Sequence, residues 1–389
     1  MTMSSPRVIA GLLLISPMAA AASAQGPSQN LTLTTPISQS ADAFTSITSV
    51  RELSNGRVIV TDVMDKSVHL IDLASETSAP IGREGQGPGE YGFPTDLLAL
   101  PGDTTLLVDR VNRRFLIILP SGKTGQSIPF PVEAGRDLSD PRAVDRDGRI
   151  FFQGSLLGGA LTPGQPTPDS LPIIRWDRRR NSVDTVTYLK VPSMNMNVSG
   201  SGSTARVMMF RQQPFGQQDD WSVTPDGRTG VARVADYHIE WFSPTRQRTA
   251  GPVNRFERLR VTEADKEAQR KQNARAPRMM ISTRGGSTRT TAGPPPAMPT
   301  GMQEPDYPEF KPPFPTRAVY ATPEGMLWVL RSRPATDLIP TFDVFDQRGM
   351  VVGKVTLPRD RRLVGFGNGT VYLARTDGDD LQWLEKYRR

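Results

Sequence analysis

Cysteine is absent from the 389 residues, and histidine occurs only twice, as His69 and His238. Without thiols there are no disulfides, no thiolate metal ligands and no cysteine nucleophile. Two histidines also leave a His-based zinc site short of ligands. Long hydrophobic runs are missing as well. The longest, Val8 to Ala22, is interrupted by Pro17 and is too short and too broken to span a bilayer. With Arg7 ahead of it and Ala22-Ser23-Ala24 before Gln25, it reads as a signal peptide over residues 1–24. No cysteine follows the cleavage site, which excludes acylation as a lipoprotein. The mature chain is therefore expected in the periplasm or outside the cell, with no membrane span.

What the chain does have is glycine, proline and positive charge. Its 34 Gly and 35 Pro point to a turn-rich β architecture held together by a large core. A net charge of +7 suits a polyanionic partner. Export makes an anionic envelope polymer or an envelope protein a better candidate than nucleic acid.

One short pattern recurs: an apolar strand, a polar turn with glycine, then a second apolar strand. The six turns are centred on Gly56, Gly102, Gly148, Gly227, Gly325 and Gly369, spaced by 46, 46, 79, 98 and 44 residues. Three of these intervals match a four-stranded propeller blade, and the other two are that period plus an insertion. The expected fold is all-β: a six-bladed β-propeller with four antiparallel strands per blade. Third strands are expected at 67–73, 114–119, 237–242 and 341–345, and the last strand at 381–387. The spare segment Leu31-Thr32-Leu33-Thr34 is expected to complete the last blade and close the ring, leaving no long edge unpaired.

Val60-Thr61-Asp62 with Asp65-Lys66-Ser67-Val68, and Val108-Asp109 with Asn112-Arg113-Arg114-Phe115, resemble the V-x-D-x-x-N-x-R-[IV] core of NHL repeats. Gly82-Arg83-Glu84-Gly85-Gln86-Gly87-Pro88-Gly89-Glu90-Tyr91-Gly92-Phe93-Pro94 similarly resembles the glycine-rich lead-in to such a blade. The signature is carried by the first two blades. The resemblance, to exported bacterial six-bladed propellers of the NHL type, implies a binding or scaffold protein.

Three insertions, at 154–171, 192–218 and 252–314, are expected to emerge on one face, often the binding side of a repeat fold. In the longest, Thr262 is placed to cap a helix running to about Asn273, with only Ala264 and Ala268 apolar and so no face to bury. Residues 274–314 are rich in Pro, Gly, Thr and Arg and are expected to lack regular structure in isolation. Arg270, Lys271, Arg275, Arg278, Arg284 and Arg289 make this insertion a basic arm.

Propellers also host enzymes, so the chemistry is tested residue by residue. A calcium-dependent hydrolase or lactonase would need channel oxygens, for which Glu90, Asp96, Asp140, Asp219 and Asp220 are candidates. A sialidase-like site would use arginines such as Arg142, Arg317, Arg361 and Arg362, but no copy of the Asp-box turn is present. The histidines fall in third strands, away from the channel. The favoured reading is a monomeric, non-enzymatic binding module without cofactor, its ligand-binding candidates being Arg83, Glu90, Tyr91, Arg142 and Arg317. The calcium-dependent hydrolase is the alternative.

Overall fold

Each predicted repeat folds as one antiparallel blade in the computed structural model, which describes residues 1, 30–133, 138–155, 168–192, 195–199, 207–211, 213–275, 278–284, 287–293 and 305–389. Blade one consists of Ile47–Glu52, Val58–Asp62, Ser67–Asp72 and Thr77–Pro80, innermost strand first. Blade two follows with Pro94–Ala99, Thr105–Asp109, Arg114–Ile118 and Thr124–Pro129. Blade three is built from Asp140–Val144, Ile150–Gln153, Ser170–Asp177 and Ser182–Lys190. Blade four has Asp220–Val223, Thr229–Arg233, His238–Phe242 and Arg248–Ala250. Blade five has Val319–Ala321, Leu327–Leu330, Thr341–Phe345 and Val351–Thr356. Blade six supplies Arg361–Gly367, Thr370–Thr376 and Gln382–Arg388 from the C-terminus. The signal peptide expected over residues 1–24 lies, from residue 2 onward, outside the described residues. Among the described residues, no helix is long and apolar enough to cross a membrane.

The six repeat glycines all have φ between +65° and +86°, a region that residues with a Cβ enter only at a cost. At the first of these turns Gly56 N–H donates to the Leu53 carbonyl at 3.0 Å, and Leu53 N–H donates to the Arg57 carbonyl at 2.8 Å. This is a three-residue hairpin loop whose last position is left-handed. The same pair of bonds recurs at Thr224–Arg228 and Thr322–Met326.

Each blade is apolar on both faces, so its strands pack against two neighbours. One buried cluster fills each interface, and Trp328, Phe342, Leu363 and Leu373 exemplify the seam between blades five and six. The cluster of Ile47, Val58, Val60, Tyr372, Ala374 and Leu384 joins blade one to blade six and closes the ring.

Closure differs from the sequence expectation in one respect. Leu31–Thr32 pairs in parallel with Val351–Thr356 and becomes a fifth, outermost strand of blade five. The strand that completes blade six is Ser38–Gln39, antiparallel to Gln382–Arg388. Alternation identifies Leu31 and Leu33 as strand residues, and Leu33 is buried with blades five and six. Two residues as polar as Ser38 and Gln39 carry no such signal. The N-terminal segment thus spans the seam between the last two blades.

The insertion between blades four and five is more ordered than its composition suggests. Its helix, α1 (Glu263–Arg275), begins after Thr262 as expected. Asp265 N–H donates to Thr262 Oγ1 at 3.3 Å, and Thr262 N–H donates back to Asp265 Oδ2 at 2.9 Å, a reciprocal cap. Most of α1 is exposed, yet Asp265 is buried, which departs from the expectation of a wholly solvated helix. Its carboxylate accepts from Lys311 Nζ at 2.6 Å and from Ala335 N–H at 2.7 Å. Lys311 also donates to the Arg333 carbonyl at 2.7 Å. This buried pair ties both ends of the insertion to blade five. In place of an irregular arm, Arg278–Arg284 and Ser287–Gly293 pair as a hairpin. Residues 294–304 lie outside the described residues.

Outer strands carry buried ion clusters, one of them around Glu240 in blade four. Glu240 accepts from Arg233 Nε and Arg248 Nε, both at 2.7 Å. Burial by itself would raise its pKa, and the two guanidinium groups overcome that and hold it down at about 2. A carboxyl group depressed in the folded state stabilises the fold fully above its ordinary pKa of 4.5, and the benefit fades as pH falls towards 2. Glu240→Gln is therefore expected to cost on the order of 3 kcal/mol at neutral pH and much less near pH 3. Urea unfolding across that pH range checks this, and a cost independent of pH would contradict it.

Candidate functional site at the channel mouth

In each blade the innermost strand starts at the face from which the insertions leave and ends at the glycine turn. Residues six to eight positions before the turn glycine therefore ring the channel mouth. They include Asp96, Asp140, Arg142, Asp220, Arg317 and Arg362. The ring is a chain of ion pairs crossing from blade to blade. Asp140 of blade three lies 3.2 Å from Arg110 of blade two and 3.2 Å from Arg317, which precedes blade five. Arg142 reaches Asp220 of blade four at 2.9 Å and Gln153 at 2.8 Å. Gln153 also accepts from Trp221 Nε1 at 3.1 Å, and the Arg142 guanidinium lies over the Trp221 ring at 5.2 Å. The second oxygen of Asp220 accepts from Ala318 N–H at 2.5 Å and Val319 N–H at 2.9 Å.

The electrostatics of these groups follow from their pairing. Arg317 is 54% exposed yet ringed by protein. Burial works against its charge, but Asp140, Asp96 and Asp220 outweigh it and raise its pKa. The Tyr320 hydroxyl is pushed upward by burial and stays protonated, with Arg362, Asp220, Arg142 and Arg317 in electrostatic reach. Arg362 is different. Its Nη2 donates to the Ile47 carbonyl at 2.5 Å and to Gln382 at 3.4 Å, and no carboxylate pairs with it among the described residues. Although exposed to solvent, it is ringed by protein, and that desolvation lowers its pKa, with only Tyr320 opposing.

The five ligand-binding candidates divide in two. Arg142 and Arg317 meet in this mouth. Arg83, Glu90 and Tyr91 belong to the connection between blades one and two, and no described contact joins them to it. Arg83 is exposed and paired with Glu90 at 2.7 Å. Glu90 also accepts from Gly87 N–H at 2.8 Å. Tyr91 is buried, its hydroxyl donating to the Ile81 carbonyl at 3.0 Å and accepting from Val68 N–H at 3.1 Å. These three groups hold the glycine-rich crossing together.

The aspartates of the NHL-like motifs have a similar structural use. Asp62 accepts from the N–H groups of Thr45, Ser46, Met64 and Asp65, and Asp109 from those of Gly92 and Phe93. Each clasps the incoming chain to the end of a second strand.

In the basic arm, Arg270 lies 2.9 Å and Lys271 3.6 Å from Glu267 on the same helix. Arg275 ends α1, Arg278 and Arg284 bound one hairpin strand, and Arg289 lies in the other.

The five calcium candidates do not converge. Asp219 is taken by Arg233 at 2.8 Å and by backbone N–H groups, and Asp140, Asp220 and Glu90 by the arginines above. Among the described residues, no three His, Cys, Asp or Glu side chains form a metal-binding group. His69 bonds Ser67 in its own third strand and Ser78 in the fourth, and His238 bonds Asp236, so both serve their blades.

No family model matches this sequence, and no curated protein does. Solved structures are similar in fold. One is a member of the DUF4221 family from Bacteroides vulgatus, at 10% identity and a TM-score of 0.49, with 91% of this chain and 97% of that one covered. A second is a gluconolactonase from Xanthomonas campestris, at 12% identity and a TM-score of 0.42, covering 93% and 99%. A third is the calcium-binding protein regucalcin from Agrobacterium tumefaciens, at 10% identity and a TM-score of 0.42, covering 92% and 96%. The likeness is one of fold alone.

Sequence reasoning named Arg362 but did not place it in the site, and it missed Tyr320, Arg110 and Gln153. The signal was available in part. Counting back from each turn glycine finds the first-strand residues, whereas Gln153 ends a second strand and Arg110 directly follows one.

Proposed function

We propose that this protein is a non-enzymatic binding propeller of the cell envelope that recognises an anionic protein or polymer through its inserted face and channel mouth. The observation that carries the reading is the composition of the mouth. Its best-placed carboxylates are already held by guanidinium groups, so they are poor metal ligands, while Arg362 keeps an uncompensated charge. Arg362 is solvent-exposed at the mouth, so a guanidinium without a carboxylate partner among the described residues is accessible there to an incoming anion. The basic hairpin on the same face adds longer-range attraction. Envelope placement rests on the signal-peptide pattern of residues 1–24.

The test uses protein beginning at Gln25 and fluorescently labelled poly-L-glutamate as the anionic probe. Wild type is expected to bind saturably, and replacing residues 276–304 with a Gly-Ser linker, which leaves Asp265 and Lys311 in place, to weaken binding about tenfold. Failure of both proteins to bind would overturn the reading. A calcium-dependent hydrolase makes the opposite forecast for metal. Added calcium is expected to leave the melting temperature unchanged, because a ligand stabilises only a fold that binds it. A clear rise with calcium, absent with magnesium, would favour the hydrolase.

A further inference from the structure

We infer that the channel mouth is a receptor for a single carboxylate group, with Arg362 as its main ion partner and the Tyr320 hydroxyl as a second donor. The inference rests on the anion-binding reading above and narrows it to one site and one class of ligand. Among the described residues, four guanidinium groups, from Arg110, Arg142, Arg317 and Arg362, face three carboxylates, from Asp96, Asp140 and Asp220. The cluster therefore carries one positive charge in excess, and it resides on Arg362, whose described partners are the Ile47 carbonyl and Gln382. A monoanion neutralises the site, whereas a phosphate dianion would leave it negative among carboxylates already present.

Donor geometry agrees. Arg362 uses Nη2 for the protein, leaving its other nitrogens to meet a planar carboxylate side by side. Among the described residues, the Tyr320 hydroxyl has no hydrogen-bond partner, although its ring is fixed against Phe342 at 5.9 Å. Arg142 and Arg317 are locked by Asp220 and Asp140 and shape the pocket without being free to collapse onto the ligand. Asp96 closes the blade-two side and repels a second negative charge. A ligand with one carboxylate on an otherwise neutral body fits this pattern, such as a uronic acid unit or an acidic side chain.

Protection of arginine from phenylglyoxal, mapped by peptide mass spectrometry, tests the site directly. The probes are acetate, D-glucuronate, its neutral amide D-glucuronamide, and glucose 6-phosphate. Arg362 is expected to react faster than Arg142 and Arg317, to be protected by acetate and glucuronate, and to ignore the amide. Arg362→Met should abolish the rise in melting temperature given by glucuronate, and Tyr320→Phe should weaken it about tenfold with the fold intact by circular dichroism. Equal protection by the amide, stronger protection by glucose 6-phosphate, or no protection by either carboxylate would overturn the inference. Polyglutamate bound equally by wild type and Arg362→Met would place anion binding on the arm and refute this site alone. Glucuronate bound without polyglutamate would keep the site and refute the polymer reading.

Discussion

Lys311→Ala is expected to release the insertion between blades four and five, raising amide exchange throughout α1 by about two orders of magnitude. The reason is the asymmetry of a buried ion pair. Asp265 is 1% exposed and Lys311 7% on their side chains, so each charge has given up its water for the other. Removing the ammonium leaves a carboxylate with backbone N–H and hydroxyl partners but no counter-charge, which costs about 3–5 kcal/mol. Replacing both groups by neutral ones of similar shape, in Asp265→Asn with Lys311→Met, should recover most of the loss. Hydrogen exchange followed by mass spectrometry separates the two cases. Equal exchange in wild type and Lys311→Ala would mean that α1 is held by something else.

Gly365→Val is expected to lower global stability by about 3 kcal/mol or more. A Cβ at position 365 would lie 2.6 Å from the Val50 carbonyl oxygen and 3.1 Å from Val50 Cβ. Both belong to the innermost strand of blade one, against which blade six closes the ring. Backbone atoms in a paired strand cannot rotate aside, so the two blades must separate and the apolar cluster between them opens. Gly378→Ala is the control, since nothing lies within 4 Å of its Cβ position, and its cost should stay within about 0.5 kcal/mol. Urea midpoints of the two variants compare the effects. A Gly365→Val protein as stable as the control would show that the seam is loosely packed.

The repeat was legible because backbone geometry leaves a mark on sequence. A left-handed turn position selects glycine, and six such positions, three of their five intervals at blade length and two lengthened by insertions, predict six blades. Third strands were equally plain: Thr341–Phe345 lies at its expected boundaries, and Ser67–Asp72 ends one residue early. What escaped was whatever depends on contacts between distant residues. Ser38–Gln39 closes the last blade through backbone bonds alone, which any residues can make. The anchor of α1 needs Asp265 and Lys311 together, 46 residues apart, and neither is unusual by itself. The bonds of the Tyr91 hydroxyl to Ile81 and Val68 likewise join residues that only the fold brings together. Arg142 and Arg317 are paired with Asp220 and Asp140, so the guanidinium without a carboxylate partner among the described residues is that of Arg362, a distinction that residue type cannot carry.

The most direct measurement is the affinity of the protein for poly-L-glutamate across a salt series, with poly-L-glutamine as the uncharged counterpart. Recognition of anions by an arginine-lined mouth and a basic hairpin predicts binding of the acidic polymer alone, weakening steadily as salt screens the charges. Binding that ignores salt, or that treats the two polymers alike, would contradict an anion-recognition role for this propeller.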